Sequence, residues 1–491
     1  MYLPEWVQKF KEPKTEIKIV KGGYYKYEVH YKYNPEKKRT DKITGVLLGK
    51  ITQEDGFIAS DKNKLRKSRQ DSVIDIKNYG LFHLFSSLLE AEFESLKTFV
   101  DKDVCELLFG FAMFRWGYNS PIKRAPYYYS HDFCSEVFTK KYPDDKDFSA
   151  ILKAIGENRT QIVAWMKLLL GGQDTTNAEF VMMDSTHVFS KSELLTVNAK
   201  GYNPDFDFEK QVRLMYLFSA KMQQPVYYRL INGNITDITS MSLCISEMKI
   251  DNVIYIADKG FYSQQNVAMM KAQKLQYIIP IRRDNKLINY TPLSEADFKQ
   301  KHSYFIYQKR IIWYYQYQVK AEQLITFLDE GLRAKEEADY VSRILTLPEE
   351  YTSEKFKNKL PGFGTLTITF DIKKEKSSEE IYEAYKQRNE VENVFDSYKN
   401  FLSADVMYMQ NRYVLEGWLT ANFIAMMAYH KLYTRLRDIK KLNHYCPKDI
   451  IEISKSIYQL KINGKWQRAE MTKKDIELFK QLKIDYLNLR S

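Results

Sequence analysis

The 491-residue sequence predicts a mixed α/β core flanked by other regions, with a β-rich body inserted into the core. Three observations predict this. Between residues 179 and 282 the chain passes through three apolar strands, a helix, a strand, a helix and a strand. Two of those strands, EFVMMD and NVIYIAD, end in a carboxylate. Before and after this run the apolar spacing shifts to three and four residues, the period of an amphipathic helix.

The elements read in order as follows. Residues 1–75 form a β-rich region, where EIKIVKGGYYKYEVHYKY alternates in places and ITGVLLGKI follows a charged turn. DKNKLRKSRQ, 61–70, suits either a phosphate-contacting arm or a solvated loop. Residues 76–178 are helical, as in LFHLFSSLLEAEF and QIVAWMKLLLGG. The formal charge of +12 favours a polyanionic partner, because neutralising phosphates releases condensed counterions. On that ground 1–75 reads as a DNA-binding region and 76–178 as a bridging or DNA-binding region. No helix-turn-helix stands out in either.

In 179–282 the order of strands and helices is that of the ribonuclease H-like fold, and the core resumes over 378–435. Between them, 283–377 is too long to be a structureless loop inside a compact domain. YFIYQKRIIWYYQYQVK (304–320) and GTLTITFDIKK (364–374) make it a β-rich insertion subdomain. A long helix is expected over about 378–400, and 436–491 reads as a C-terminal helical region.

Several function classes are excluded. Cys105, Cys134, Cys244 and Cys446 form no CxxC pair, and the seven histidines lack zinc-ligand spacing. Free thiols in a reducing compartment are expected. MYLPEWVQKFKEPK has no apolar signal-peptide core, and Glu416, Asn422 and His430 interrupt the most apolar helix, so no membrane span is expected. The composition fits a soluble intracellular protein.

The chemistry lies in carboxylates. Asp184 and Asp258 each follow a buried strand, which would hold them rigidly at the mouth of a sheet. On the helix SEEIYEAYKQRNEVENVFDSYKN, Tyr385, Arg388, Glu392 and Lys399 fall within an arc of roughly 60°. Alone, that stripe could be a solvated face with an Arg388–Glu392 pair. Two strand-end aspartates with a glutamate from a packed helix can hold two divalent ions, the arrangement of two-metal phosphoryl transfer. Such hard oxygen ligands suit Mg2+, with Mn2+ as a substitute.

These residues resemble a known family. Tyr385-x2-Arg388-x3-Glu392-x6-Lys399 is similar to the YREK signature of DDE transposases of bacterial insertion sequences, in the insertion-sequence-four, transposon-five-like group. ADKGFYS around Asp258 and MDSTHVFS around Asp184 look like that family's two aspartate motifs, with GYNPDF (201–206) and NGNITD (232–237) as further landmarks. The resemblance covers about 179–430. It implies a transposase and endonuclease that binds terminal inverted repeats of double-stranded DNA, cleaves there, and transfers the freed strand into target DNA. A hairpin intermediate and a homodimeric synaptic complex are implied with it, as is a prokaryotic, cytoplasmic, nucleoid-associated setting. Asp184, Asp258 and Glu392 would be the catalytic metal ligands, holding two Mg2+ or Mn2+ ions. Tyr385, Arg388 and Lys399 would hold the terminal phosphates. Trp313, in RIIWYYQYQ, reads either as a ring that stacks on an extruded base or as packing within the insertion. Two other functions fit the same residues: a catalytically silent DNA-binding descendant, and a ribonuclease H-like structure-specific nuclease.

Overall fold

The computed structural model of the chain describes residues 3–34, 39–60, 75–171, 179–201, 209–248, 253–373, 376–388, 397–462 and 464–486. Glu392, the basic stretch 61–70 and the GYNPDF landmark beyond Gly201 lie outside them. The chain divides into two compact units, residues 1–77 with 458–470, and 78–457 with 471–491.

The first unit opens with four antiparallel strands, β1 (Thr15–Val20), β2 (Gly23–Asn34), β3 (Arg39–Thr52) and β4 (Gly56–Ala59), paired in chain order. Lys21 and Gly22 turn β1 into β2 with φ of 48° and 79°, the two left-handed residues that a tight hairpin matching strand twist requires. A short strand β5, Asp75–Asn78, closes the N-terminal part.

In the second unit, helices α1 (Gly80–Leu96), α2 (Lys102–Tyr118), α3 (Asp145–Glu157) and α4 (Arg159–Gly171) precede the sheet. Asp144 and Asp147 cap α3 reciprocally, each side chain accepting from the other's backbone N–H. The core strands follow as β6 (Glu179–Ser190), β7 (Gln211–Ser219), β8 (Gln224–Asn232), β9 (Val253–Ala257) and β10 (Gln276–Ile281). Helix α5 (Asp237–Met248) joins β8 to β9, and α6 (Gln264–Ala272), capped by Ser263, joins β9 to β10. The spatial order is β10-β9-β6-β7-β8, parallel across β10, β9 and β6 and antiparallel from β6 to β8. The predicted strand and helix sequence is therefore present, with the turn after β7 at Ala220–Gln223 rather than at Gln223–Gln224.

The strands of the predicted insertion, β11 (Ser303–Tyr307), β12 (Arg310–Val319), β13 (Glu322–Asp329) and β14 (Thr365–Asp371), join the same sheet. β14 pairs antiparallel with β10, and β13, β12 and β11 follow outward. The segment thus extends the core sheet, and it includes a 17-residue helix α7 (Glu330–Thr346) that the strand-rich reading did not anticipate.

Beyond β14 the expected long helix over about 378–400 is described only at its two ends, since 389–396 lie outside the described residues. Helix α8 spans Ser378–Lys386, started by the Ser377–Glu380 capping box. Gln387 and Arg388 form a turn, and Ser397–Phe401 is wound as a π-helix. At Ser397–Phe401 the π-helical winding departs from the ideal α-helical spacing by which Lys399 was placed on the stripe. Strand β15 (Val406–Met407) then pairs with the end of β6. Helix α9 (Arg412–Asp438) is buried along most of its length against α3, α2 and β8. One apolar core runs from the N-terminal helices through the sheet to α9.

The C-terminal residues are not all helical. After α10 (Pro447–Lys455) a hairpin of β16 (Tyr458–Ile462) and β17 (Lys465–Arg468) belongs to the first unit, where β16 pairs with β5. Its signal was present as an Asn-Gly pair between alternating runs, with Gly464 at φ 75°. Helix α11 (Lys473–Gln481) ends the described elements.

Candidate active site

The pairing of β6 with β9 builds the site. These strands are parallel neighbours, with Met183 opposite Ala257. The next residue on each is an aspartate, so Asp184 and Asp258 stand side by side. Asp258 is the first residue past β9 and starts a tight turn, Phe261 N–H donating to its carbonyl at 2.9 Å. Asp184 is not at a strand end as the apolar pattern suggested. It sits within a twelve-residue β6, whose second half is held by β7, β15 and a bond from Phe189 N–H to the Asp405 carbonyl. Backbone N–H of Ser185 donates to Asp184 Oδ1 at 2.7 Å. Ser185 Oγ in turn accepts from Arg213 Nη1 at 3.1 Å, which ties this part of β6 to β7.

Arg388 reaches both carboxylates. Its Nη1 lies 3.8 Å from Asp184 Oδ2 and 3.7 Å from Asp258 Oδ1. Arg388 leaves the turn after α8, where its N–H donates to the Tyr385 carbonyl at 3.1 Å, and its guanidinium lies 5.8 Å from the Tyr385 ring. Two sequence-predicted aspartates, Arg388 and Tyr385 are therefore brought together. Glu392 lies outside the described residues, and among those described no three carboxylates or other metal-binding side chains meet. Lys399 is on the π-helical turn, partly buried.

The donor set fits a divalent cation. Both carboxylates are hard oxygen donors, and one cationic nitrogen already stands within 4 Å of each, so a single positive centre can be shared between them. Two further cations near α8 were missed from sequence. Lys386 is half-buried over the Tyr382 ring at 5.1 Å, and burial together with nearby Arg310 and Arg388 lowers its pKa. Arg310 pairs with Asp329 at 2.6 Å. Lys386 was readable as the neighbour of Tyr385, whereas Arg310 reaches this place only because β12 joins the core sheet.

Trp313 does not present a free ring. It is 9% exposed, packed in a small cluster with Phe298, Tyr315 and Leu328, with Tyr304 5.1 Å away and Lys299 Nζ 5.8 Å from its ring centre. The alternation of β12 turns it onto the face covered by the short helix Phe298–Lys301, so the packing role is the one it fills. Tyr314, on the other face, packs against Phe305 and Phe327. The exposed ring of this hairpin is Tyr304, on β11.

The chain matches the family model of the transposase DDE domain over residues 177–428. Among solved structures, it is similar to the piggyBac transposase synaptic complex with hairpin DNA, with a TM-score of 0.37 and 8% identity over 72% of this chain and 70% of that one. No curated protein matches it. Among the described residues, no helix is long and apolar enough to cross a membrane.

Proposed function

The chain belongs to the transposase DDE domain family, and we propose that it cuts and joins DNA at transposon ends through Asp184, Asp258 and Glu392. The single observation that carries the reading is the shared position of Asp184 and Asp258 on adjacent parallel strands, both facing Arg388. The strand order around them is the one the ribonuclease H-like fold uses, which supports the same reading. The family uses divalent metal, and the three carboxylates would hold two Mg2+ or Mn2+ ions. When bound, such ions lower the pKa of an attacking water or 3′-hydroxyl and stabilise the leaving oxygen.

The chain's own groups do the rest. The parallel pairing fixes the spacing of the two aspartates, and the Ser185 N–H orients one Asp184 oxygen, leaving little reorganisation for the reaction. Arg388, with Tyr385 and Lys399, would hold the phosphates next to the scissile bond, where charge-assisted donors are the fitting groups. Terminal inverted repeats as the bound DNA, insertion-sequence-four kinship with its YREK signature, excision through a hairpin, and a synaptic homodimer complete the proposal.

The experiment is cleavage of supercoiled plasmid carrying the DNA that flanks the gene, with Mg2+ and with EDTA. Metal-dependent cuts at the flanking ends together with strand-transfer products are expected. Binding without cleavage would make the chain a silent descendant, and cleavage of branched DNA without strand transfer would make it a nuclease.

A further inference from the structure

The longest strands of the first unit continue past their neighbours. β1 covers β2 only from Gly23 to Glu28, and β4 covers β3 only from Gly49 to Thr52. Beyond them, Val29–Asn34 pairs with Arg39–Thr44 in six cross-strand pairs, a two-stranded ribbon with no described strand on either side. Its register shifts next to Tyr27, at the point where the ribbon leaves β1, and such bulges bend and twist a strand pair away from the sheet. At about 3.4 Å per residue the ribbon reaches roughly 20 Å.

Beyond Val29, which is buried at its base, neither face of this ribbon makes a core. Tyr31 is 62% exposed and Tyr33 61%, and His30, Lys32, Arg39, Thr40, Lys42 and Ile43 are exposed as well. Cross-strand partners share a face, so Tyr31, Tyr33, Thr40 and Lys42 line one side and His30, Lys32, Arg39, Asp41 and Ile43 the other. An isolated two-stranded hairpin is marginal in water, so rings and cations kept on both exposed faces call for a partner that surrounds it. Charge indicates which partner. The first 77 residues hold 18 Lys and Arg against 11 Asp and Glu, a net +7 of the chain's +12. The ribbon's acids are few: Asp41 pairs with Arg39 at 3.2 Å, and Glu16 at its base takes Lys42 at 2.7 Å and Lys18 at 3.2 Å. Exposed pairs of this kind are weak and leave their cations open to phosphate.

We propose that the β2–β3 ribbon enters the major groove of DNA and supplies sequence-specific contacts for this chain. The groove, about 12 Å wide, admits a two-stranded ribbon, whose two faces then meet its two walls. Lys32 and Arg39 suit the O6 and N7 acceptors of guanine, while the tyrosine hydroxyls and Lys42 suit backbone phosphates. This inference rests on the DNA transposase reading and adds the element that reads sequence.

The test is full-length protein binding to a duplex of the DNA flanking its gene and to a random duplex of equal length. The wild type is expected to prefer the flanking duplex. The Lys32→Ala/Arg39→Ala variant should lose roughly tenfold of that preference, the discrimination one good base contact supplies, whereas Tyr31→Ala/Tyr33→Ala should weaken binding to both duplexes alike, each with unchanged Tm. Guanine N7 methylation of the flanking duplex should weaken the wild type and have less effect on Lys32→Ala/Arg39→Ala. Full preference retained by Lys32→Ala/Arg39→Ala, undiminished binding by Tyr31→Ala/Tyr33→Ala, or N7 methylation without effect on the wild type overturns the ribbon's role while the transposase reading stands. Variants that change oligomeric mass and not DNA preference overturn it in favour of a self-contact. A wild type with no preference for flanking DNA brings down the end-binding reading itself.

Discussion

Arg388 stands where two carboxylates need a cation, and that makes it a competitor for any metal placed between them. Removing it leaves Asp184 and Asp258 with more uncompensated negative charge, while a phosphate contact is lost from the DNA side. Arg388→Gln is therefore expected to bind Mn2+ roughly three- to fivefold more tightly, a gain limited by solvent at a partly exposed site. Its log affinity for end DNA against log salt should become shallower by about one contact. Titration of Mn2+ by electron paramagnetic resonance checks the first part, and an unchanged or weaker affinity would contradict it. His430 offers a second residue-scale prediction. It is enclosed beside Phe218 on α9, its Nε2 has no hydrogen-bond partner, and burial pushes its pKa down to about 3. The unfolded imidazole titrates near 6.5 and binds the proton more readily, so the stability His430 allows is present above that pH and lost as pH falls toward 3. By pH 5 the loss is about 2 kcal/mol. His430→Leu should remove it, so its denaturant stability gains on the wild type between pH 7.5 and pH 5. A gain that does not vary with pH would refute the assignment.

The crossing of α3 on α9 is the element that seats the N-terminal helices against the core. A Cβ on Gly156 would lie 2.0 Å from the Tyr413 carbonyl, and one on Gly417 would lie 2.0 Å from the Leu152 carbonyl. The backbones touch, and neither helix can yield without moving the other. Gly417→Ala is expected to cost about 1–3 kcal/mol or more by thermal or denaturant unfolding. Gly110→Ala on α2, whose Cβ would meet only side chains at 3.5 Å or beyond, should be neutral or slightly stabilising. Equal losses in both would show that the crossing is not the cause. Legibility also divides at this scale. The core strands and α6 were readable because buried strands appear as apolar runs and Ser263 marks a helix start. The extent of β6 past Asp184 was not, since its second half is held by non-local partners, Asp405 and β15. The same limit hid the joining of β11–β14 to the core sheet, because strand pairing depends on neighbours that no local pattern specifies. The π-helical winding around Lys399 was not legible either, because the stripe was projected on an ideal α-helix. Asp184, Asp258 and Arg388 were legible from apolar runs ending in carboxylates, helix spacing and resemblance to a signature; in the structure, strand register sets the two aspartates side by side and Arg388 reaches both from the turn after α8. The two readings of Trp313 could not be separated in the sequence, because alternation gives a side chain its face without saying what covers that face.

At the scale of the molecule, one apolar core ties the N-terminal helices, the ten-stranded sheet and α9 into a rigid support for two aspartates that sit partly open to solvent. On the proposed function the overall charge of +12 would supply distributed affinity for DNA, so binding and cutting are expected to separate under mutation. The most direct measurement is cleavage of end-labelled duplex from the flanking DNA in Mg2+, run beside a binding isotherm on the same duplex. Asp184→Asn, Asp258→Asn and Glu392→Gln should each lower the cleavage rate by at least about a hundredfold, on the scale of losing a transition-state stabilising group, with binding within a few-fold of wild type. A wild-type cleavage rate that survives in Asp184→Asn or Asp258→Asn would contradict the account, because the two side chains that the sheet sets side by side would then not be the ones that cut.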